Sequence, residues 1–361
     1  MKHVLVAGAS GLVGNAVLRA YADATEVKLT ALSRRRPRLY GSGFLELDLM
    51  DAHACADALS PLSDVTHLVY AALYEKDDLA AGWLADDQIV RNDAMLRHLF
   101  EPLAATARGL EHVCLLQGTK AYGAHVRRIP VPAREDRDEL KGQANFYWNQ
   151  ENYLRSKQRD ARWELTIIRP QIVFGDTIGA AMNPIAAIGL YGALLKEAGE
   201  PLHYPGSGPD TVFEAADAEL VGRAIRWSGT IGQGRDRSFN ITNGDVFVWR
   251  QVWPAIADAL GMKVGEERPQ QLARLLPSRG HDWDEICRKY RLAAPTLMEF
   301  AGKSLAYADL LMHRPDDAHG LPAVVSTIRL RRAGFSEVMD SEDMLRASIM
   351  RMQAEQLLPP R

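Results

Sequence analysis

The stretches KHVLVA (residues 2–7) and GASGLVG (residues 8–14) decide the fold. An apolar, strand-like run leads into glycines spaced G-x-x-G-x-x-G, and a helical pattern continues to Tyr21. A glycine turn between a strand and a helix aims the first N–H groups of the helix at an anion such as a pyrophosphate. An ordinary strand–helix turn is the alternative. We predict a dinucleotide-binding turn with contacts from Gly8, Ser10, Gly11, Leu12, Val13 and Gly14.

The end of the next predicted strand indicates which nicotinamide cofactor the turn would hold. Residues 27–33 (VKLTALS) form this strand, and it runs into Ser33-Arg34-Arg35. NAD enzymes of this architecture carry an acidic residue there, which binds the ribose. Here a hydroxyl and two guanidinium groups can instead bind a 2′-phosphate. The sequence therefore favours NADPH/NADP+, with a solvated basic loop as the alternative.

Strands and helices alternate over the first half of the chain, which predicts an α/β Rossmann fold with a doubly wound parallel sheet. Further strands are predicted at 43–49, 65–72, 112–118 and 165–170, and helices at 52–59, 85–108 and 145–162. We predict that residues 1–175 form the cofactor-binding domain, with sheet contributions from about 205–245. Residues 176–361 are predicted to form a smaller, mainly helical region on the substrate side, interleaved with that domain.

Composition and charge exclude several classes of function. The net charge of the 361-residue chain is −3, so nothing suggests a nucleic-acid or anionic-membrane partner. No apolar run approaches the roughly 20 residues of a membrane span, and the amino terminus enters a strand without a signal peptide. Three scattered cysteines indicate neither a disulfide framework nor a metal site. We expect a cytoplasmic protein without a metal, and a homodimer is compatible with the sequence.

Two segments can reach the place where a nicotinamide ring would lie, beyond the carboxyl ends of the central strands. One is QGTKAY (117–122), and the other is NFYWNQEN (145–152). Most short-chain dehydrogenases pair a tyrosine with a lysine four residues later on one helix face. Here Glu151 stands four residues after Tyr147, and Gly118 stands where those enzymes have a serine or threonine. The usual lysine is therefore missing four residues after Tyr147.

These two motifs resemble those of the progesterone 5β-reductase/iridoid synthase-like group of short-chain dehydrogenases. The segments SRR (33–35), RPQIVFG (169–175) and NGDVFVWRQVW (243–253) are similar to that group as well. The resemblance implies that Lys120 and Tyr147 are the catalytic pair. It also implies NADPH-dependent 1,4-reduction of a small α,β-unsaturated carbonyl substrate, an enone or enal. The chain departs from the group at Ala121, at Trp148 and in AALYEK (71–76), which leaves the substrate open.

The implied chemistry needs a hydrogen-bond donor at the carbonyl oxygen, because hydride addition to the β-carbon moves negative charge there. Tyr147 would supply that donor, and the ammonium of Lys120 would favour the charged species. The resemblance also assigns further cofactor contacts, near the ends of later strands, to Asp48, Leu49, Ala71, Ala72, Gln117, Pro170, Ile172 and Val173.

Three other functions remain open on the sequence. Carbonyl 1,2-reduction would use the same cofactor and the same tyrosine. A sugar-nucleotide epimerase or dehydratase shares the fold but needs a lysine at the position of Glu151. A non-catalytic NADP(H)-sensing protein would not need Lys120 and Tyr147, and both are present.

Overall fold

A parallel sheet of seven strands forms the centre of the structure, a computed structural model that describes residues 1–159, 161–230, 236–313 and 324–361. Its strands are β1 (Lys2–Ala7), β2 (Val27–Ser33), β3 (Gly43–Glu46), β4 (His67–Tyr70), β5 (His112–Leu116), β6 (Glu164–Pro170) and β10 (Ser238–Ile241). They lie in the order β3-β2-β1-β4-β5-β6-β10, and neighbouring strands are parallel. The order reverses between β1 and β4, and doubly wound sheets bind ligands at such a switch point.

The chain divides into two units, and the first contains this sheet. It comprises Met1–Gln171, Ala218–Thr242 and Ala323–Glu337. Its described helices are α1 (Leu12–Ala20), α2 (Ala52–Leu59), α3 (Leu79–Gly82), α4 (Asp86–Thr106), α5 (Phe146–Gln158), α7 (Ala218–Ser228), α13 (Ile328–Arg332) and a 3-10 helix (Thr119–Tyr122). α1 packs on α7, while α4 packs on α2 and α5. Gly222 permits the first contact, because a Cβ there would lie 2.6 Å from the carbonyl oxygen of Ala16.

The second unit comprises Ile172–Asp217, Asn243–Pro322 and Val338–Arg361. Its described helices are α6 (Pro184–Glu197), α8 (Trp249–Leu260), α9 (Leu272–Leu275), α10 (Gly280–Tyr290), α11 (Leu297–Ala301), α12 (Ser304–Met312), α14 (Ser341–Ala354) and a 3-10 helix (Leu276–Arg279). Its strands are β7 (Ile172–Phe174), β8 (Leu202–Tyr204), β9 (Ala215–Asp217) and β11 (Val264–Glu267). β7 pairs with β9, and β8 pairs with β11. The core of this unit surrounds α6, which is buried on nearly every side.

The structure confirms the Rossmann fold and corrects several boundaries. β3 ends at Glu46 instead of residue 49, and β4 spans His67–Tyr70 instead of 65–72. The apolar run extends beyond β4 because its flanks pack without pairing: Val65 is fully buried, yet its N–H donates to Leu62 in a turn. α5 ends at Gln158 instead of residue 162.

The division into units also differs in detail from the predicted domains. The boundary falls after Gln171 instead of residue 175. Of the described residues in the range 205–245, β10 joins the main sheet, whereas β9 pairs with β7 in the second unit. The predicted domain ranges themselves stay a prediction. None of the described helices combines the length and the apolar character that crossing a membrane requires.

Candidate active site

The turn between β1 and α1 needs its glycines. Gly8 has a left-handed φ of +81°, and a Cβ there would lie 2.6 Å from the carbonyl carbon of Ala71. A Cβ at Gly14 would overlap the carbonyl oxygen of Gly8, and the N–H of Gly11 donates to that oxygen at 2.9 Å. The missing side chains let the turn pack closely against the loop after β4 and against its own backbone, and a pyrophosphate at this turn stays a prediction. The other predicted contacts at this turn and at the start of α1 are Ser10, Leu12 and Val13.

The three residues Ser33, Arg34 and Arg35 after β2 differ in burial and in hydrogen bonding. Ser33 is buried, and its hydroxyl donates to the carbonyl oxygen of Arg35 at 2.6 Å. Because its single proton is used within the loop, Ser33 holds the shape of the loop in this structure. The side chains of Arg34 and Arg35 are exposed at the carboxyl end of β2. Two exposed guanidinium groups fit a 2′-phosphate.

The predicted contacts after β3 and β4 lie in loops, not at strand ends. Asp48 is exposed, and one of its carboxylate oxygens accepts the N–H of Met50 at 2.9 Å. Leu49 is buried. Ala71 and Ala72 follow β4 and pass against the glycine turn. A side chain at Gly8 is thus disfavoured where the loop crosses the turn, and cofactor contacts from Ala71 and Ala72 stay a prediction.

The side chain of Gln117 binds protein groups on every side. Its amide nitrogen donates to the carbonyl oxygen of Tyr147 and to the carboxylate of Glu151, both at 3.2 Å. Its amide oxygen accepts from Nε of Arg169 at 2.8 Å. Gln117 therefore joins the end of β5 to α5 and β6, and its predicted cofactor contact remains untested.

Glu151 occupies the helix position that holds a lysine in Tyr-x-x-x-Lys enzymes. Its carboxylate pairs with Arg155 at 2.8 Å and lies 3.5 Å from the guanidinium of Arg169. Arg169 is fully buried and also pairs with Glu139 at 2.6 Å. This position of α5 therefore stabilises a buried arginine and supplies no ammonium to the tyrosine.

Lys120 and Tyr147 come together from different elements. Nζ of Lys120 lies 5.8 Å from the centre of the Tyr147 ring. Asn145 joins the two segments, since its side chain accepts the N–H of Tyr147 at 3.0 Å and donates to the carbonyl oxygen of Lys120 at 3.2 Å. A Cβ on Gly118 would lie 3.3 Å from the Tyr147 hydroxyl. The missing side chain at residue 118 thus leaves space beside the phenol.

Glu75 is a charged member of this site that sequence reasoning missed. Its carboxylate is almost fully buried and lies 3.0 Å from Nζ of Lys120. The only signal in the sequence was an acid in AALYEK (71–76), directly after an apolar strand. Nothing in the local pattern indicates that this acid meets a lysine 45 residues later.

Tyr122 is the phenol of the QGTKAY motif, and its hydroxyl is bound within the protein. It is fully buried, and its hydroxyl donates to the side chain of Asn240. Burial raises its pKa to about 12, with Arg169 acting in the opposite direction. Tyr122 therefore stays protonated and bound within the protein, which leaves Tyr147 as the phenol beside Lys120.

His125 follows the 3-10 helix Thr119–Tyr122. Neither ring nitrogen has a hydrogen-bond partner among the residues that the structure describes. Burial lowers the pKa of His125 to about 4, and the charge of Lys120 lowers it further in the same direction. The ring is therefore neutral near pH 7.

Protonation of His125 is expected to lower stability at acidic pH. Its folded pKa of about 4 lies below the ordinary value of 6.5, so the unfolded chain binds the proton first as pH falls. The free energy of unfolding should therefore decrease as the pH is lowered from 6.5 to about 4. At pH 5 the decrease should be about 1 kcal/mol, after allowance for partial exposure of the ring. Urea unfolding at pH 7 and pH 5 should show a smaller drop for His125→Asn. The exposed His53 supplies the control His53→Asn, and equal drops in all three proteins would contradict this expectation.

The last predicted cofactor contacts fall on both sides of the unit boundary. Pro170 ends β6, and its carbonyl oxygen lies 3.5 Å from the place of a Cβ on Gly118. Ile172 and Val173 belong to β7 of the second unit. Within the described residues, no group of three or more His, Cys, Asp or Glu side chains could hold a metal ion.

Solved structures share this architecture. The UDP-glucose 4-epimerase of Thermotoga maritima, solved with UDP-glucose, has a TM-score of 0.66 at 15% identity, over 98% of this chain and 99% of its own. WbmG of Bordetella bronchiseptica, in complex with NAD and UDP, has a TM-score of 0.65 at 15% identity, over 98% and 96%. The doubly wound parallel sheet is thus a fold that this chain shares with both solved proteins.

The chain belongs to the PRISE-like Rossmann-fold family, whose domain matches residues 50–294, more than half of its length. The (S)-8-oxocitronellyl enol synthase CYC1 of Camptotheca acuminata is 26% identical over 98% of this chain and 93% of its own. The 3-oxo-Delta(4,5)-steroid 5-beta-reductase of Arabidopsis thaliana is 28% identical over 82% of this chain and 79% of its own. The resemblance inferred from QGTKAY and NFYWNQEN is thereby confirmed.

Proposed function

We propose that this protein is an NADPH-dependent reductase that reduces the carbon–carbon double bond of an α,β-unsaturated carbonyl compound. The observation that supports this most is the meeting of Lys120 and Tyr147, with Nζ 5.8 Å from the phenol ring, although neither lies in a Tyr-x-x-x-Lys pattern. The names of two relatives agree with such chemistry. A 3-oxo-Delta(4,5)-steroid is an enone, and an enol synthase forms an enol, the protonated product of 1,4-addition.

The proposed roles follow from where charge develops. NADPH, when bound, would supply a hydride to the β-carbon of the substrate, and Tyr147, Lys120 or water would then supply the proton to the α-carbon. The Tyr147 hydroxyl would donate a hydrogen bond to the carbonyl oxygen, and this bond strengthens as that oxygen becomes negative. Lys120 would hold a positive charge nearby and so favour the enolate. The absence of a side chain at Gly118 would leave room beside the donor.

The residues present fit NADPH. The glycine turn keeps backbone N–H groups accessible at the switch point of the sheet, where a pyrophosphate would bind. Arg34 and Arg35 would hold the 2′-phosphate at the exposed end of β2. This fit supports NADPH over NADH, since β2 does not end in an acid.

The proposal is tested by NADPH oxidation against a panel of enones, enals and saturated ketones, with identification of each product. We expect saturated carbonyl products from the enones and enals, and no turnover of the ketones. Allylic alcohols as products would instead indicate 1,2-reduction. An absence of NADPH oxidation with the whole panel would contradict the proposed reaction.

Arg34→Ala and Arg35→Ala are each expected to weaken the preference for NADPH over NADH. One charge-assisted contact to a phosphate contributes about 1.5–3 kcal/mol, so kcat/KM for NADPH should fall roughly 10- to 150-fold with little change for NADH. The matched control is Arg36→Ala, because the Arg36 guanidinium lies 5.4 Å from the centre of the Phe44 ring and is not assigned to the phosphate. Steady-state kinetics with both cofactors checks the result, and equal efficiency of the wild type with NADPH and NADH would contradict it.

A further inference from the structure

A buried carboxylate lies beside Lys120. Glu75, in the loop after β4, has 1% of its side chain exposed, and Lys120 has 13%. Oε1 of Glu75 lies 3.0 Å from Nζ of Lys120, while Oε2 accepts a hydrogen bond from the amide nitrogen of Gln88 at 2.6 Å. Both oxygens of the carboxylate therefore have partners, as the burial of a charge requires.

Side chains of α4 fix the backbone on both sides of Glu75. The amide oxygen of Gln88 accepts the N–H of Lys76 at 2.9 Å. The side chain of Asn92 accepts the N–H of Tyr74 and donates to the carbonyl oxygen of the same residue, both at 2.9 Å. The carboxylate is thus held by the helix and by its own loop, independently of the lysine.

The ammonium of Lys120 lies among aromatic rings that belong to two elements. Its Nζ is 4.8 Å from the centre of the Trp83 ring and 5.7 Å from that of Phe146, and the Tyr147 ring is the third. A lysine side chain is long and flexible, so this place needs an anchor. Phe146 and Tyr147 open α5, which directs the ammonium toward the helix that carries the phenol.

We infer that Glu75 is a positioning residue that fixes the Lys120 ammonium beside Tyr147 and balances its charge. The inference rests on the proposed role of Tyr147 as a hydrogen-bond donor. A lone ammonium beside a phenol favours the phenolate, which has no proton to donate. The Glu75–Lys120 pair favours the phenolate less than a lone ammonium would. Tyr147 therefore keeps its proton, and can donate it in a hydrogen bond, up to a higher pH. The pair itself carries no net charge, which suits an uncharged enone.

The pH profile of kcat/KM for an enone separates this role from simple packing. Glu75→Gln is expected to move the alkaline limb about one pH unit lower, because it leaves the charge of the Lys120 ammonium beside the phenol unbalanced. Lys120→Met should move the limb higher, and the double variant should return it near the wild-type position. The matched control Asp87→Asn breaks the exposed Lys76–Asp87 pair, 2.7 Å long, on the same loop and helix, and should leave the limb unmoved. A limb unmoved in Glu75→Gln overturns the inference.

Amine labelling tests the position of Lys120 without any activity. Competitive acetylation followed by mass spectrometry should show labelling of Lys120 several-fold faster in Glu75→Gln than in the wild type. Asp87→Asn should raise labelling at Lys76 and not at Lys120. Equal labelling of Lys120 in the wild type and in Glu75→Gln overturns the inference. If the wild type reduces no enone, the proposed function is contradicted. The labelling experiment would still show whether Glu75 fixes the position of Lys120.

A second substitution covers the case in which Glu75→Gln does not fold. Glu75→Asp keeps the negative charge, but the side chain is one methylene group shorter, so the carboxylate lies farther from Nζ of Lys120. The variant should therefore fold and still hold Lys120 less firmly. We expect labelling of Lys120 about twofold faster than in the wild type, with the alkaline limb close to its original position. Wild-type labelling in this variant would overturn the inference.

Discussion

Tyr147→Phe is expected to lower kcat roughly 100- to 1000-fold on weakly activated enones, because it removes the donor to an oxygen that becomes negative in the transition state. The loss should be smaller on enals, which are already electrophilic. The Tyr147 ring is buried against Phe146, with ring centres 4.7 Å apart, and phenylalanine keeps this packing. NADPH affinity and melting temperature should therefore change little. Steady-state kinetics, cofactor titration and thermal unfolding of the same preparation check the three expectations.

The matched control for Tyr147 is Tyr153 on the same helix. Tyr153 is also buried, and its hydroxyl contacts Glu101 at 3.3 Å. Tyr153→Phe should leave kcat within about twofold of the wild type, because this phenol has no proposed contact with the substrate. Lys120→Met should lower kcat by a similar or smaller factor than Tyr147→Phe. A Tyr147→Phe enzyme with wild-type kcat on every enone would exclude the proposed donor.

Other functions predict other outcomes for the same pair of variants. An epimerase would consume no NADPH in net turnover, whichever residue occupies position 147. A purely structural tyrosine would lower the melting temperature on substitution without changing the rate. The surroundings of Glu151 already argue against an epimerase-like helix, because its carboxylate pairs with Arg155 and approaches Arg169.

The elements that the sequence predicts best are those with local causes. The strand, turn and helix around Gly8 could be read from spacing alone, because a positive φ and a close backbone approach both require glycine. Alternating apolar segments likewise predicted the parallel sheet. The ends of β4 were less predictable, because Val65 is buried but does not pair with a neighbouring strand. An apolar residue in the sequence gives the same signal whether it is paired in a strand or only buried.

Features with distant causes could not be read from the sequence. Glu75 looks like a loop acid until the fold brings Lys120 to it. The catalytic pair came from the resemblance of two motifs and not from spacing, since Lys120 lies outside α5.

Arg169→Met is expected to give the largest loss of stability in this protein, about 3–5 kcal/mol in the free energy of unfolding. Arg169 is fully buried on β6, where it pairs with Glu139 at 2.6 Å and approaches Glu151 at 3.5 Å. Methionine fills a similar volume but removes the buried cation from Glu139 and Glu151, which keep only the more exposed Lys141 and Arg155. It also leaves the amide oxygen of Gln117 unpaired. Urea unfolding followed by fluorescence measures the change, and Glu139→Gln in the same chain should restore part of it.

The second arginine that pairs with Glu151, Arg155, supplies the control for the Arg169→Met prediction. Arg155 pairs with Glu151 at 2.8 Å, but 41% of the Arg155 side chain is exposed. Arg155→Met should therefore cost less than about 1 kcal/mol, because water replaces an exposed partner. Arg169 also donates to Gln117, which in turn donates to the carbonyl oxygen of Tyr147. Loss of Arg169 should therefore loosen the start of α5 and reduce kcat, even in protein that is still folded. Equal destabilisation by Arg169→Met and Arg155→Met would mean that burial does not set the strength of this network.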